Sequence, residues 1–327
     1  MATIVFGVGY IGSRLVQELL YDGREVIGFD NLFSTDQRAL AAFGQASGFR
    51  FVHGDILNLP AIARALDEAG TIDAVYLLAA QSSAHPDAAD PDLTEAVNLR
   101  GPRLILDALA ERGVTAPIMY ASSTRLYGSP LPPVVDERTP PGRFTDLQHL
   151  SKVYAEKLLE MYAGLYGLST RVVRLGLTYG VAPVLKTDPR FMTAPNLFAD
   201  RLAHGETIEV RSADAVAVIH VADAAAALLA AELVEGENYR VLNAVGSVTT
   251  IPRLADTLAG LAEARELAVA INRRVPAGDD NARLPVINSA FDPRLFSPRR
   301  SLADGLGELL DHLLVRYLDS LVEEPRF

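Results

Sequence analysis

Along the first half of the chain short apolar runs alternate with amphipathic stretches, and this alternation restricts the fold more than any other feature. The runs "TIVFG", "EVIGFD", "FRFVHGD", "DAVYLLAA", "APIMYASS" and "STRVVRLGLTYG" have the length and β-branched content of buried strands. Between them "IGSRLVQELLYDG", "AIARALDEAG", "NLRGPRLILDALAERG" and a stretch around Ser151 to Tyr166 carry helical spacing. Strand, helix and strand repeated in this way predict an α/β fold, a doubly wound parallel sheet with helices on both faces. Such sheets bind ligands at the carboxyl ends of their strands.

The second half is less regular. Pro-rich stretches at Leu131 to Pro141 and Pro183 to Pro195 read as long loops over a crevice. The run "AVAVIHVADAAAALLAAEL" reads as a short strand feeding a helix, and Leu302, Leu306, Leu309, Leu310 and Leu313 form a core-facing helical stripe. With 327 residues the chain sits where single cores stop growing, so one large domain or two smaller ones are expected. The expected division is a sheet domain of residues 1–176 with 214–250, and a smaller mixed α/β C-terminal region, 177–213 with 251–327, that binds substrate.

Composition removes several classes of function. A formal net charge of -11 without a basic stripe argues against nucleic-acid partners. The absence of Cys removes disulfides, thiolate nucleophiles and Cys-ligated metals, and no metal site is expected. No apolar run approaches the ~20 residues that cross a bilayer, and the first strand begins without a charged leader, so no membrane partner and a cytoplasmic location are expected. Lys152, Lys157 and Lys186 are the only lysines in a chain dominated by Arg, a skew that reads as codon bias.

Directly after the first strand stands Gly7-Val8-Gly9-Tyr10-Ile11-Gly12, opening a helix. Small residues there let the backbone turn tightly and approach a pyrophosphate, whose charge is met by N–H groups at the helix N-terminus. Asp30 ends the second strand 18 residues beyond Gly12, where a ribose-binding carboxylate belongs. A carboxylate there accepts both ribose hydroxyls of NAD and repels the 2′-phosphate of NADP unless a cation such as Arg38 compensates. NAD(P)H is therefore the expected cofactor, with NADH favoured by Asp30 and NADPH left open.

From these residues outward the chain resembles the extended short-chain dehydrogenase/reductases, the NAD-dependent epimerase/dehydratase group with a Rossmann sheet. The resemblance covers nearly the full length. It implies that Asn31 joins Asp30 at the adenosine ribose, and that Asp55 and Ile56 of "FVHGDILN" hold adenine. Leu78, Ala79, Ala80 and Gln81 would run along the cofactor, with Asn98 of "EAVNLRG" beside it. Ser123 of "YASSTRLYG" stands at the active hydroxyl position, and Lys152 at the lysine that holds the nicotinamide ribose. Ser82, His85, Arg125 and Leu177 fall on the substrate side. Phe6 departs from the family's usual Gly. The resemblance also points to helices Pro102 to Ala110 and Val153 to Tyr166 as the contact of a homodimer, although core and interface stripes look alike from sequence.

The departure that bears on chemistry is Gln148. Family members carry Tyr, three residues, then Lys, whereas this chain reads Gln148-His149-Leu150-Ser151-Lys152. The family's phenol passes a proton to or from the reacting oxygen; an amide cannot titrate but still donates a hydrogen bond. Oxidation-first reactions such as epimerisation lose a base that typically supplies ~10²–10⁴-fold. Ketone reduction instead produces an alkoxide basic enough to take a proton from water, Ser123 or a substrate hydroxyl. Its barrier falls through donors around the carbonyl, worth ~3–4 kcal/mol for each good one. Tyr154, Tyr127, His149 and His85 are the candidate stand-ins for the missing phenol, and none is favoured.

Two further departures concern the substrate. Where nucleotide-sugar enzymes have Asn in "RxxNxYG" this chain has Leu177, and where they have Arg-Asp before "FIHV" it has Val216 and Ala217. Arg125 also stands where sugar dehydratases carry an acidic pair. The expectation is an NAD(P)H-dependent ketoreductase, Gln148 and Ser123 facing the carbonyl of an activated ketone on a bulky, aromatic polyketide natural product. The alternatives are a nucleotide-sugar epimerase or decarboxylase with a displaced acid, or a catalytically inactive NAD(P)-binding protein.

Overall fold

The computed structural model describes the chain except residues 36–39, 42, 45, 84, 86, 89, 276–282 and 324–327, and only the backbone of 320–323. The first half alternates as its sequence predicts: β1 (Ala2–Phe6), α1 (Tyr10–Tyr21), β2 (Glu25–Asp30), β3 (Phe49–His53), α2 (Leu59–Ala69), β4 (Ile72–Leu77). There follow a short α3 (Pro91–Glu95), a π-helical turn Ala96–Arg100, α4 (Gly101–Glu111), β5 (Ile118–Ser123), β6 (Val134–Val135), α5 (Leu147–Tyr166) and β7 (Thr170–Leu175). The second half supplies β8 (Leu177–Tyr179), α6 (Ala194–Ala203), β9 (Ile208–Val210), β10 (Ala215–His220) and α7 (Val221–Glu232). It continues with β11 (Tyr239–Ala244), β12 (Ser247–Thr250), α8 (Ile251–Glu263), β13 (Ile271–Arg273), β14 (Val286–Ile287) and α9 (Leu302–Glu323).

Seven strands make one parallel sheet in the order β11-β7-β5-β4-β1-β2-β3. Strand alternation divides its core in two. Ile4 and Phe6 of β1 pack with Ile62, Leu106 and Leu159 of α2, α4 and α5, while Val5 packs with Leu15 and Leu228 of α1 and α7. Full burial of each aliphatic side chain contributes about 1.5–3 kcal/mol. The strand order reverses between β1 and β4, which opens a crevice at their carboxyl ends.

Of residues 214–250, β11 lies in the large sheet and α7 packs on it, while β10 and β12 join β8 in a three-stranded sheet. A third core, with Phe198, Leu254 and Leu309, lies under α6, α8 and α9. The expected helix at Ser151 begins four residues earlier, at Leu147, because the Asp146 carboxylate caps it through His149 N. It ends at Gly167, whose φ of 69° is left-handed. That earlier start puts Gln148 inside the first turn, in line with Lys152 four residues on.

Candidate active site

At the end of β1 the backbone leaves no room for side chains. Gly7 has φ of +99°, and a Cβ on it would overlap the amide nitrogen of Ala79; a Cβ on Gly12 would overlap the Gly7 carbonyl. Gly9, the N-cap of α1, has no side-chain cap, so among the described residues no side chain caps the first N–H groups of the helix. Such a terminus suits a pyrophosphate. Tyr10 contributes only its backbone there: its ring packs on Ala182 and Val221 and its hydroxyl donates to Gly180 O at 2.6 Å. Ile11 packs on the same small cluster.

Asp30 closes the turn. It accepts from Val8 N and Leu32 N, each at 2.7 Å, and burial pushes its carboxyl above the ordinary value against those bonds. A carboxylate with two backbone donors keeps lone pairs for ribose hydroxyls. Asn31 Nδ2 donates to Asp55 at 2.9 Å beside a cleft of about 550 Å³ lined by Phe33, His53, Asn58 and Arg64. Ile56 is buried next to Asp55. Arg38, the candidate partner for a 2′-phosphate, lies outside the described residues.

Leu78 N and Ala79 N both donate to Phe6 O, which holds the loop after β4, with Ala80 following, against the glycine turn. Gln81 and Asn98 are spent on the protein itself. The Gln81 side chain donates to Ala88 O and accepts from Ser83 N, while Asn98 accepts from Gln81 N and donates to Gln81 O and Ser151 Oγ. Asn98 thereby positions the cofactor loop against α5.

The residues expected at the reacting end, Ser123, Gln148 and Lys152, lie where β5 meets α5. Lys152 is buried, with Nζ 2.9 Å from Ala121 O and 4.8 Å above the Tyr120 ring. Burial lowers its ammonium to about 8, partly opposed by Glu156. Two residues along β5 from Ala121, Ser123 Oγ accepts from Arg125 N at 3.1 Å, leaving its hydroxyl proton to donate. The Gln148 amide has no hydrogen-bond partner among the described residues. His149 Nδ1 lies 2.7 Å from Asp146. Burial raises the Asp146 carboxyl, but the His149 bonds and the charge of Arg125 outweigh it and leave it below the ordinary range.

Among the described residues no tyrosine replaces the missing phenol. Tyr127 is locked in a buried network, donating to Asn243 Oδ1 at 2.7 Å and accepting from Arg174 at 2.8 Å. Tyr154 stands exposed on the outer face of α5, and Tyr120 is packed in the core beneath Lys152. His85 is exposed, its Nδ1 accepting from Asp87 N. Of the residues expected on the substrate side, Leu177 is half-buried in β8, and Val216 and Ala217 are buried in β10. Arg190 is neutralised by Asp188 at 2.6 Å. Among the described residues no cluster of His, Asp or Glu fits a metal ion, and no helix is long and apolar enough to cross a membrane.

The pattern of the NAD dependent epimerase/dehydratase family matches residues 3–244. The chain belongs to that family. It is an NAD(P)-binding member of the extended short-chain dehydrogenase/reductases, and the uncapped turn and Asp30 fit the dinucleotide. A UDP-glucose 4-epimerase of Mycolicibacterium smegmatis is 29% identical over 217 residues, 64% of this chain and 66% of that one. A UDP-glucuronate 4-epimerase of Thermodesulfobacterium geofontis is 30% identical over 188 residues, 55% and 56%. The matches thus span between half and two thirds of these relatives. Among solved structures, UDP-glucose 4-epimerase of Thermotoga maritima with UDP-glucose aligns at a TM-score of 0.80 and 24% identity, covering 99% of this chain and 100% of the other. That of Thermus thermophilus, in complex with NAD, aligns at 0.76 and 26%, covering 96% and 99%.

Two features of the site were not read from the sequence as parts of it: the Asp146–His149 pair, and Lys186, whose ammonium meets Ser82 Oγ at 2.7 Å. An Asp three residues before a His at a helix start signalled the first. Only the rarity of lysine hinted at the second.

Proposed function

We propose that this chain is an NAD(P)H-dependent reductase of an activated ketone, the substrate a bulky aromatic polyketide. The observation that carries the reading is Gln148: the acid of the family is replaced, Lys152 and Ser123 are kept, and no tyrosine hydroxyl takes the vacant role. NAD(P)H would supply hydride to the carbonyl carbon. Ser123 and Gln148 donate hydrogen bonds to the carbonyl oxygen as charge builds on it, and Lys152 holds the nicotinamide ribose and adds positive field. The proton then comes from water, Ser123 or a phenolic hydroxyl beside the ketone. A ketone already hydrogen-bonded to its own phenol is activated, which lessens what the protein must provide. Leu177, Val216 and Ala217 offer apolar surface in place of charge-assisted phosphate contacts.

A narrower likeness, to the atypical angucyclinone 7-ketoreductase of simocyclinone biosynthesis, rests on the same replacement of Tyr by Gln; the relatives found lend it no support. They favour a second reading, a UDP-sugar epimerase with a displaced acid, which His149 held by Asp146 would have to supply. NADH and NADPH consumption against hydroxylated aromatic ketones tests the first reading, and conversion of UDP-glucose or UDP-glucuronate tests the second. Sugar conversion with tightly held NAD and no ketone turnover overturns the reductase.

A further inference from the structure

Among the described residues Lys186 is a cation without a counterion. It lies in the Pro-rich segment after β8, which is fastened to the first turns of α1: Val184 N donates to Ser13 Oγ at 3.1 Å, and Leu185 packs on the cluster of Tyr10, Ala182 and Val221. One residue on, the Lys186 ammonium donates to Ser82 Oγ at 2.7 Å and lies 5.7 Å from the Phe191 ring centre. A second bond, Ser83 Oγ to Arg190 O at 2.6 Å, laces the same two loops together. Ser82 follows Leu78 and Ala79, whose amides are bonded to Phe6 O at the entrance of the glycine turn. The ammonium is therefore suspended between the two loops that flank that turn.

Among the described residues no carboxylate pairs with it, and Asp188, two residues on, is taken by Arg190. The turn itself, Gly7 to Ser13, contains no charged residue, and Arg14 is bound to Glu18. A half-buried cation held without a counterion between the two loops that flank an uncapped helix end is placed to meet an anion bound there. We propose that Lys186 is a further cofactor-binding residue, its ammonium taking the pyrophosphate of the bound dinucleotide and supplying the positive charge that the glycine turn lacks. Burial already holds this ammonium down to about 8, so an arriving anion relieves the penalty that desolvation imposes.

The inference rests on the dinucleotide assignment and not on the ketone. Its test reads binding, so its failure and that of the reductase reading are distinguishable. Titrations of NADH, ADP-ribose, adenosine and UDP are compared for the intact protein, Lys186→Met and Lys186→Arg, with melting temperature as the control for folding. Lys186→Met is expected to weaken NADH and ADP-ribose by about ten- to hundredfold, the worth of one charge-assisted bond, and to leave adenosine unchanged. Lys186→Arg is expected to restore most of the loss. Unchanged ADP-ribose affinity in a folded Lys186→Met protein overturns the proposal. So does a loss confined to UDP, which would assign the charge to a substrate diphosphate, and so does an equal loss for adenosine.

Discussion

An amide at Gln148 donates but does not titrate, so on the proposed reductase reading the reacting end of this crevice would work through hydrogen bonds rather than through a side-chain acid. Ser123→Ala is expected to lower kcat for ketone reduction about tenfold with KM little changed, the signature of a bond made chiefly in the transition state. Gln148→Leu should do the same, whereas Gln148→Tyr should bring no gain, since the substrate oxygen already has its donors. With the buried ammonium of Lys152 held to about 8, turnover is expected to fall as pH rises through that value, a limb that Lys152→Met should remove together with most activity. Its effect on stability has the opposite sign. Between about 8 and the ordinary 10.5 the unfolded chain keeps a proton that the folded chain has released, so the cofactor-free protein gains stability with rising pH over that window. Thermal melts of the intact protein and of Lys152→Met across this range check it, with Lys186 contributing in the same direction.

At the scale of elements, the turn between β1 and α1 separates packing from binding. Gly7→Ala and Gly12→Ala force a Cβ into backbone and are expected to lower the melting temperature; among the described residues Gly9→Ala meets only Thr35 Oγ1 at 3.7 Å and should fold normally. Its loss is expected in NADH titration alone, because a methyl group there stands over the uncapped helix end where the pyrophosphate approaches. The strands and helices that form this turn were legible in the sequence, since apolar periodicity and glycine spacing are local properties. The β1–α1 motif and Asp30 could be read for the same reason. Asn98 was expected beside the cofactor on resemblance alone, and nothing local signalled that its side chain is consumed by Gln81 and Ser151; Lys186 looked like composition alone. Both depend on loops far apart in sequence, 104 residues for Lys186 and Ser82, and no spacing rule reaches that far.

Across the whole molecule, the large sheet is pinned to α5 by an ion pair away from solvent. Glu156 receives Arg174 at 2.7 Å and Ser122 Oγ at 2.5 Å, while Arg174 also holds the Tyr127 hydroxyl. Arg174→Met leaves a buried carboxylate alone, which costs about 3–5 kcal/mol and should lower the melting temperature by roughly 5–15 °C. Tyr127→Phe should leave turnover intact. On the outer side of α5, Leu150, Tyr154, Met161 and Leu165 stand exposed along one stripe, most of it within the stretch 153–166 that the resemblance points to as a homodimer contact. Met161→Asp is expected to halve the mass found by light scattering; an unchanged mass places the contact elsewhere or shows a monomer throughout. Asn98 has a wider consequence. By grasping both the loop after β4 and the helix bearing Lys152, it ties the two banks of the crevice to each other, so that a disturbance of one bank should be felt at the other.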